Sequence, residues 1–140
     1  MKHIYSLIFI LFACLTSCQD SDNYRSLADP VATFVSQYWP NADIESYTHP
    51  TSGSYIVIIK NGPKIVFDSS MSWTEIDGNG MPLPQVLLYD QLPSPLYRYL
   101  EETENTSSVF MLERTPRQYS VTLLNSSLTY DISTGELKGN

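Results

Sequence analysis

The sequence contains two apolar segments of the same pattern, at residues 55–68 and 119–131. Each begins with Tyr, continues through β-branched and apolar residues to an Asn-led turn, and returns to an aromatic residue followed by Asp. β-branched and aromatic residues on both sides of an Asn-containing turn are typical of a β-hairpin. The two segments therefore predict two hairpins, and the other elements must be arranged around them.

The spacing between the hairpins indicates an internal repeat. Tyr55 and Tyr119 are 64 residues apart, whereas the closing Asp68 and Asp131 are 63 apart. The loss of one residue predicts a shorter turn in the second hairpin. An offset that changes only where loops differ is the pattern expected from duplication of one unit.

Apolar periodicity predicts helices before each hairpin. One helix starts near Asp29, a candidate cap, and ends at Pro40; its apolar stripe is Val31, Phe34, Val35 and Tyr38. Pro84 to Leu88 is predicted as one turn of helix, and a longer helix runs from Pro95 to Glu104. The apolar stripe of that longer helix is Leu96, Tyr99, Leu100 and Thr103.

The predicted strands number four in each half of the chain. They lie at about 43–48, 54–60, 64–68, 73–77, 108–113, 118–124, 128–131 and 136–138. The fold class is therefore α+β, with two tandem α-β-β-β-β repeats, at about 29–80 and 84–140, in one antiparallel sheet with helices packed on one face.

The two hairpins differ on the face that points away from the predicted core. Because side chains alternate along a strand, this face carries Ile56, Ile58 and Val66 in the first hairpin and Ser120, Thr122 and Thr129 in the second. Three apolar side chains on an open sheet face need a cover or a partner. A loop such as 78–84, or the preceding tether, could cover them; alternatively, they form a candidate binding face.

The N-terminal segment predicts export and lipid anchoring. Residues 1–17 combine Lys2 with a short apolar run, as in a signal peptide, and the sequence Leu-Thr-Ser-Cys ending at Cys18 resembles the bacterial lipobox. Cys18 is then the expected lipidation site and the first residue of a flexible polar tether over residues 18–28. A domain over residues 29–140 follows the tether. The predicted location is the cell envelope, on the outer membrane or facing the periplasm, with surface exposure left open.

Composition argues against several classes of protein. The formal net charge of −7 disfavours binding to nucleic acid. Cys18 is the only cysteine outside the predicted signal and His49 the only histidine, so no metal site or thiol chemistry is expected. No cofactor motif is present. The partner is then an unknown protein or peptide, besides the membrane reached through the lipid.

Two functional classes remain open from the residues. The first is a non-catalytic envelope lipoprotein, a binding or inhibitory module that recognises a protein or peptide through its sheet face. The second is a carboxylate-dependent envelope hydrolase that uses Asp68 with Glu75 or Asp77. Both hairpins end in Asp, which predicts a turn-capping role for Asp68 and Asp131 and favours the binding module.

Several segments resemble the PepSY-like, β-lactamase-inhibitor-like family of bacterial exported proteins. They are the opening helix at 29–42, the strands at 55–62, 65–68 and 73–77, and Pro84 with the helix at 96–100. The resemblance extends over about residues 27–137. Met71 departs from it, since the family usually has Gly there, and the second repeat has no Trp equivalent to Trp73.

The resemblance implies a curved antiparallel sheet of up to eight strands with two helices on one side. β-Lactamase inhibitory proteins of similar architecture grip an enzyme with the concave face of the sheet. The resemblance supplies no catalytic residues, so the chain is expected not to be an enzyme.

Overall fold

The computed structural model describes residues 26–140, which form three helices and eight strands. The helices are α1 (Asp29–Tyr38), α2 (Gln85–Gln91) and α3 (Ser94–Glu102). The strands are β1 (Ile44–Thr48), β2 (Tyr55–Ile59), β3 (Lys64–Phe67), β4 (Trp73–Asp77), β5 (Val109–Arg114), β6 (Gln118–Leu123), β7 (Ser127–Asp131) and β8 (Leu137–Gly139).

All eight strands form one antiparallel sheet in the order β1 to β8, so every strand pairs with its neighbours in the chain. Helices α2 and α3 are inserted between β4 and β5, which nevertheless pair directly. The predicted α+β fold with both hairpins in one sheet is confirmed. Duplication of the two halves stays a prediction.

One face of the sheet and the three helices enclose the core. Val57, Ile65, Ile76, Leu112 and Val121 are fully buried on five consecutive strands. The helices cover them with their own fully buried apolar residues: Val31, Val35, Leu87, Leu88, Leu96 and Leu100. Removal of this apolar surface from water is the main source of stability in a domain of this size.

The three helices each differ from the sequence-based expectation in one detail. Ala28, not Asp29, is the N-cap of α1, with no side-chain hydrogen bond; Asp29 lies in the first turn, where its charge still suits the helix dipole. Helix α2 extends to Gln91, beyond the single predicted turn. In α3, Tyr99 is 37% exposed and Thr103 is the C-cap, so neither belongs to the buried stripe.

The turns of the two hairpins explain the change in the repeat offset. Residues 60–63 connect β2 to β3, whereas residues 124–126 connect β6 to β7, so the second turn is one residue shorter, as predicted. In the first turn Asn61 has φ 55°, which its short polar side chain tolerates. A Cβ on Gly62 would lie 2.9 Å from Cγ2 of the buried Ile59, so close packing requires glycine there.

Met71 occupies a left-handed backbone position in the turn between β3 and β4. Its φ is 63°, and its N–H donates to the carbonyl oxygen of Asp68 at 3.0 Å. A non-glycine residue is disfavoured in this conformation by about 1–2 kcal/mol. The Gly that the resemblance implies would therefore be favoured at this position, whereas in this chain the Met71 side chain packs against the core.

The lipidation site predicted at Cys18 and the signal predicted over residues 1–17 lie outside the described residues. Within residues 26–140, none of the helices is long and apolar enough to span a membrane.

Candidate functional site: the open face of the sheet

Ile56, Ile58 and Val66 lie together on the sheet face opposite the helices. Ile56 is directly across from Val66, and Ile58 is across from Lys64 in the same strand pair. All three side chains are partly exposed, while Val57 between the two isoleucines is fully buried in the core. The strand alternation thus has the predicted phase, and we call these three residues the apolar patch.

The loop at 78–84 is held beside β5, two strands away from the apolar patch. The Gly78 N–H donates to the Phe110 carbonyl oxygen at 2.8 Å, and the Leu83 N–H donates to that of Val109 at 2.7 Å. Leu83 is buried in the core on the helix side. These bonds anchor both ends of the loop along β5, which argues against this loop as the cover. The predicted tether lies mostly outside the described residues.

Three carboxylates lie on the open face of β4 and β5, the two strands that follow the apolar patch in the sheet. Glu75 is directly across from Glu113, and Asp77 on the same face is across from Lys64. The Lys64 Nζ lies 3.7 Å from Glu75 Oε1, whereas Glu113 is exposed and has no ion-pair partner among residues 26–140. Like charges directly opposite each other on a sheet are unfavourable for folding. The centre of the open face therefore carries an excess of negative charge.

Beyond these carboxylates, the open face of the second hairpin carries hydroxyl groups. Ser120 pairs with Thr129, and Thr122 pairs with Ser127. These positions correspond to the apolar patch of the first hairpin, and the contrast is the one predicted from the sequence. The open face thus changes from apolar at β2 and β3, through acidic at β4 and β5, to neutral and polar at β6 and β7.

The aspartates at the ends of the strands organise turns. Asp68 Oδ1 accepts hydrogen bonds from the N–H groups of Ser70 at 2.8 Å and Ser72 at 3.1 Å, and Asp77 Oδ1 accepts one from Asn79 at 2.9 Å. Asp131 Oδ1 accepts hydrogen bonds from the Ser133 hydroxyl and from the N–H groups of Ser133 and Thr134. The predicted turn-capping role of Asp68 and Asp131 is confirmed. The bond from the Ser133 hydroxyl is the main reason that the pKa of Asp131 is lowered, since it stabilises the ionised carboxylate.

No group of three potential metal ligands occurs among residues 26–140. His49, the histidine considered from the sequence, stacks on Tyr55 with ring centroids 4.1 Å apart, and its Nδ1 lies 2.9 Å from the Ser54 carbonyl oxygen. These contacts give the imidazole a structural role at the start of β2.

A polar network on the helix side has no signal in the sequence. The Tyr38 hydroxyl donates to Asp90 at 3.0 Å and accepts from the Gln91 amide at 2.8 Å; Gln91 in turn accepts from the Trp73 indole N–H at 2.9 Å. Burial is the main cause of the raised pKa of Tyr38. The network ties α1, α2 and β4 together through residues that are 18 to 53 positions apart.

Comparison with protein families gives one match over most of the domain. The family model described as "Putative beta-lactamase-inhibitor-like, PepSY-like" matches residues 53–138. This range contains β2 to β7 completely, most of β8 and both helices of the second half, and it starts after α1 and β1. The curated proteins include no significant match to this chain.

Solved structures of Bacteroides proteins share the fold. A "putative periplasmic protein" from Bacteroides vulgatus is 23% identical with a TM-score of 0.69, covering 82% of this chain and 91% of that protein. A "putative calcium-regulated periplasmic protein" from Bacteroides thetaiotaomicron is 24% identical with a TM-score of 0.65, covering 79% and 87%. Another from Bacteroides vulgatus, "of unknown function", is 20% identical with a TM-score of 0.65, covering 84% and 94%. At these identities the similarity concerns the fold alone.

Proposed function

Since the chain belongs to the PepSY-like, β-lactamase-inhibitor-like family, we propose that it is a non-catalytic binding protein that captures a protein partner on the open face of its sheet. The observation that carries this proposal is the apolar patch of Ile56, Ile58 and Val66, partly exposed on a face that the helices leave uncovered. Exposed apolar side chains in contact with each other are a common feature of interaction sites.

The partner that fits this face presents a basic side chain next to apolar ones. Glu75 and Asp77 lie on the strand next to the apolar patch and Glu113 lies on the strand after it, and Lys64 is the one cation that β3, β4 and β5 present on the open face. A lysine or arginine of the partner would relieve the repulsion between Glu75 and Glu113 while its apolar neighbours cover the isoleucines. Complementary charge of this kind sets specificity and association rate more than affinity, which the apolar contact supplies.

The geometry does not favour the carboxylate-dependent hydrolase. Asp68 and Asp77 each accept backbone N–H bonds in their own turns, and Glu75 lies next to Lys64. General acid–base catalysis by a carboxylate pair needs two groups that converge on one substrate position with separated pKa values. Asp68 follows β3, at the end of the sheet opposite to Asp77, which ends β4 across from Lys64.

Replacement of Ile58 by serine tests the proposal. We expect Ile58→Ser to weaken capture of the partner about tenfold or more, because burial of one such side chain contributes roughly 1.5–3 kcal/mol. The melting temperature should change by only a few degrees, since Ile58 is outside the core. The amounts of envelope proteins captured by the wild-type protein and by Ile58→Ser are compared. The melting temperatures of these two proteins are measured in parallel.

Thr122→Ala is the matched control, because Thr122 occupies the equivalent position of the second hairpin. The Thr122→Ala variant should capture the partner as well as the wild-type protein does. Capture by the wild-type protein should also fall as salt is raised, and Glu113→Gln should reduce that dependence. An unchanged capture profile of Ile58→Ser combined with a large loss of melting temperature would assign Ile58 to the core and contradict the proposal.

We further propose that the protein is held in the cell envelope by a lipid on Cys18. The lipobox-like sequence supports the anchor, and the descriptions of the three similar structures as periplasmic proteins support the location. A polar tether between Cys18 and α1 would leave the sheet face accessible to partners on the same membrane.

Metabolic labelling with an alkyne fatty acid tests the anchor. The wild-type protein is expected to be labelled and to fractionate with membranes, whereas Cys18→Ala should lose both properties completely. Cys18 is the last cysteine of the chain, so no other thiol in the exported part can accept the lipid. Equal labelling of both proteins would refute lipidation at Cys18 and leave the sheet-face proposal unaffected.

A further inference from the structure

A second candidate site lies at the end of the sheet, on the helix side and away from the apolar patch. It is a cavity of about 280 Å³ bordered by Asp68, Trp73, Arg114, Thr115 and Tyr119, among others. The Arg114 guanidinium lies over the Trp73 indole with its Cζ 4.1 Å from the ring centroid, and its Nε donates to the Trp73 carbonyl oxygen at 2.6 Å. Two contacts to one residue fix the orientation of the guanidinium.

The two charged groups that border the cavity are not paired with each other. No carboxylate among residues 26–140 lies within 4.0 Å of the Arg114 nitrogens, although Asp68 lines the same cavity. Asp68 Oδ1 accepts the N–H groups of Ser70 and Ser72, while its Oδ2 has no partner in the described part of the chain. Arg114 thus keeps its terminal N–H donors, and Asp68 keeps one acceptor oxygen. Both side chains are partly buried.

From this arrangement we propose that the cavity binds an α-carboxylate together with the N–H group next to it, the chemistry shared by a peptide C-terminus and a free amino acid. The terminal guanidinium nitrogens suit a carboxylate, which they can bind through two parallel hydrogen bonds. Asp68 Oδ2, which borders the same cavity, can accept the N–H of the same residue. The side chain of the bound residue would then contact the ring of Tyr119.

The size of the cavity agrees with a ligand of this class. Sites for drug-sized molecules have volumes of about 300–1,000 Å³, and a cavity slightly below that range suits a single residue. The aromatic wall is also held by several contacts: Trp73 is 2% exposed, is bound to Gln91 and contacts Tyr119 with ring centroids 6.2 Å apart. A rigid wall lowers the entropic cost of binding a small group.

Peptide titration tests the site. The probes are acetyl-Ala-Ala-Xaa tripeptides with a varied last residue, each as the free carboxylate and as the C-terminal amide, together with the free amino acids. Binding is followed through the NMR signal of the Trp73 indole N–H. We expect at least one carboxylate to shift this signal in a saturable manner and its amide to bind at least tenfold more weakly. Equal binding of a tripeptide and its last residue as the free amino acid would identify the amino acid as the ligand, while stronger binding of the tripeptide would identify the chain terminus.

Arg114→Gln should reduce the affinity about tenfold to a hundredfold, the range expected when a charged hydrogen bond is lost. Arg117→Gln is the matched control, because Arg117 is exposed and does not border the cavity. Arg114→Lys keeps the positive charge near Trp73 but loses the paired donors, so it should also bind weakly while it melts within a few degrees of the wild type. The proposal is overturned if no carboxylate shifts the Trp73 signal, if amides bind equally well, or if Arg117→Gln has the same effect as Arg114→Gln.

Discussion

Gly78→Ala is expected to lower the melting temperature by roughly 10 °C, the shift that a loss of about 3 kcal/mol produces in a domain of this size. Gly78 is the first residue after β4 and is buried. A Cβ added there would collide with the carbonyl oxygen of Met81 and lie 3.0 Å from that of Phe110. Both obstacles are backbone atoms, so no side-chain rotation can relieve the clash. The loop would have to leave β5, which would break the hydrogen bond from Gly78 to Phe110.

Gly80→Ala is the matched control in the same loop. Gly80 has φ +83° but no atom within 4 Å of an added Cβ, so only the backbone conformation is penalised. That penalty is about 1–2 kcal/mol, smaller than the effect expected at Gly78. Thermal melts followed by circular dichroism compare the two variants. If Gly80→Ala proves as damaging as Gly78→Ala, close packing of this loop against β5 is not the source of the effect.

The hairpins are the part of this fold that the sequence predicts best. Tyr55 to Phe67 and Tyr119 to Tyr130 pair in the register implied by their alternation, because a shift by one residue would move every apolar side chain to the wrong face. The missing residue in the second turn is likewise visible in the repeat offset. Local pattern and turn chemistry determine these features, and both are contained in short stretches of sequence.

Contacts that depend on the pairing of β4 with β5 could not be predicted. The two strands are separated by α2 and α3, so the sequence does not show that Glu75 faces Glu113. The same holds for Arg114 over Trp73, a contact between residues 41 positions apart. The candidate apolar patch was therefore predictable within one hairpin, whereas its acidic neighbours and the second cavity were not.

The sequence predicts only the first turn of α2, for a different reason. Leu87 and Leu88 are adjacent in sequence and both fully buried, which does not produce the spacing of a one-sided helical stripe. Tyr89 is 69% exposed, against the expectation for an aromatic residue beside a core. Tertiary contacts, including those of Gln91 with Tyr38 and Trp73, hold this short helix in place.

A chain that ends at Gly80 is expected to lose cooperative folding entirely, although it contains one complete predicted repeat. It would retain α1 and β1 to β4 but lose the buried Leu87, Leu88, Leu96 and Leu100 of the other half, which cover the shared core. Strand β4 would become an edge without β5, and Trp73 would lose its hydrogen bond to Gln91. A domain of about 60 residues is marginal even with its core intact.

The fragment 26–80 can be compared with the chain 26–140 by thermal melting and by dispersion of backbone amide signals in NMR spectra. The fragment should show no melting transition and narrow dispersion, because the chain entropy of about 1–2 kcal/mol per residue is no longer offset by burial. The longer chain should melt in a single transition, since α1, α2 and β4 are joined by one network through Tyr38 and Gln91. A cooperative transition of the fragment alone would show instead that each repeat is an independent folding unit, and the two halves of the sheet would then have to be treated as separate domains.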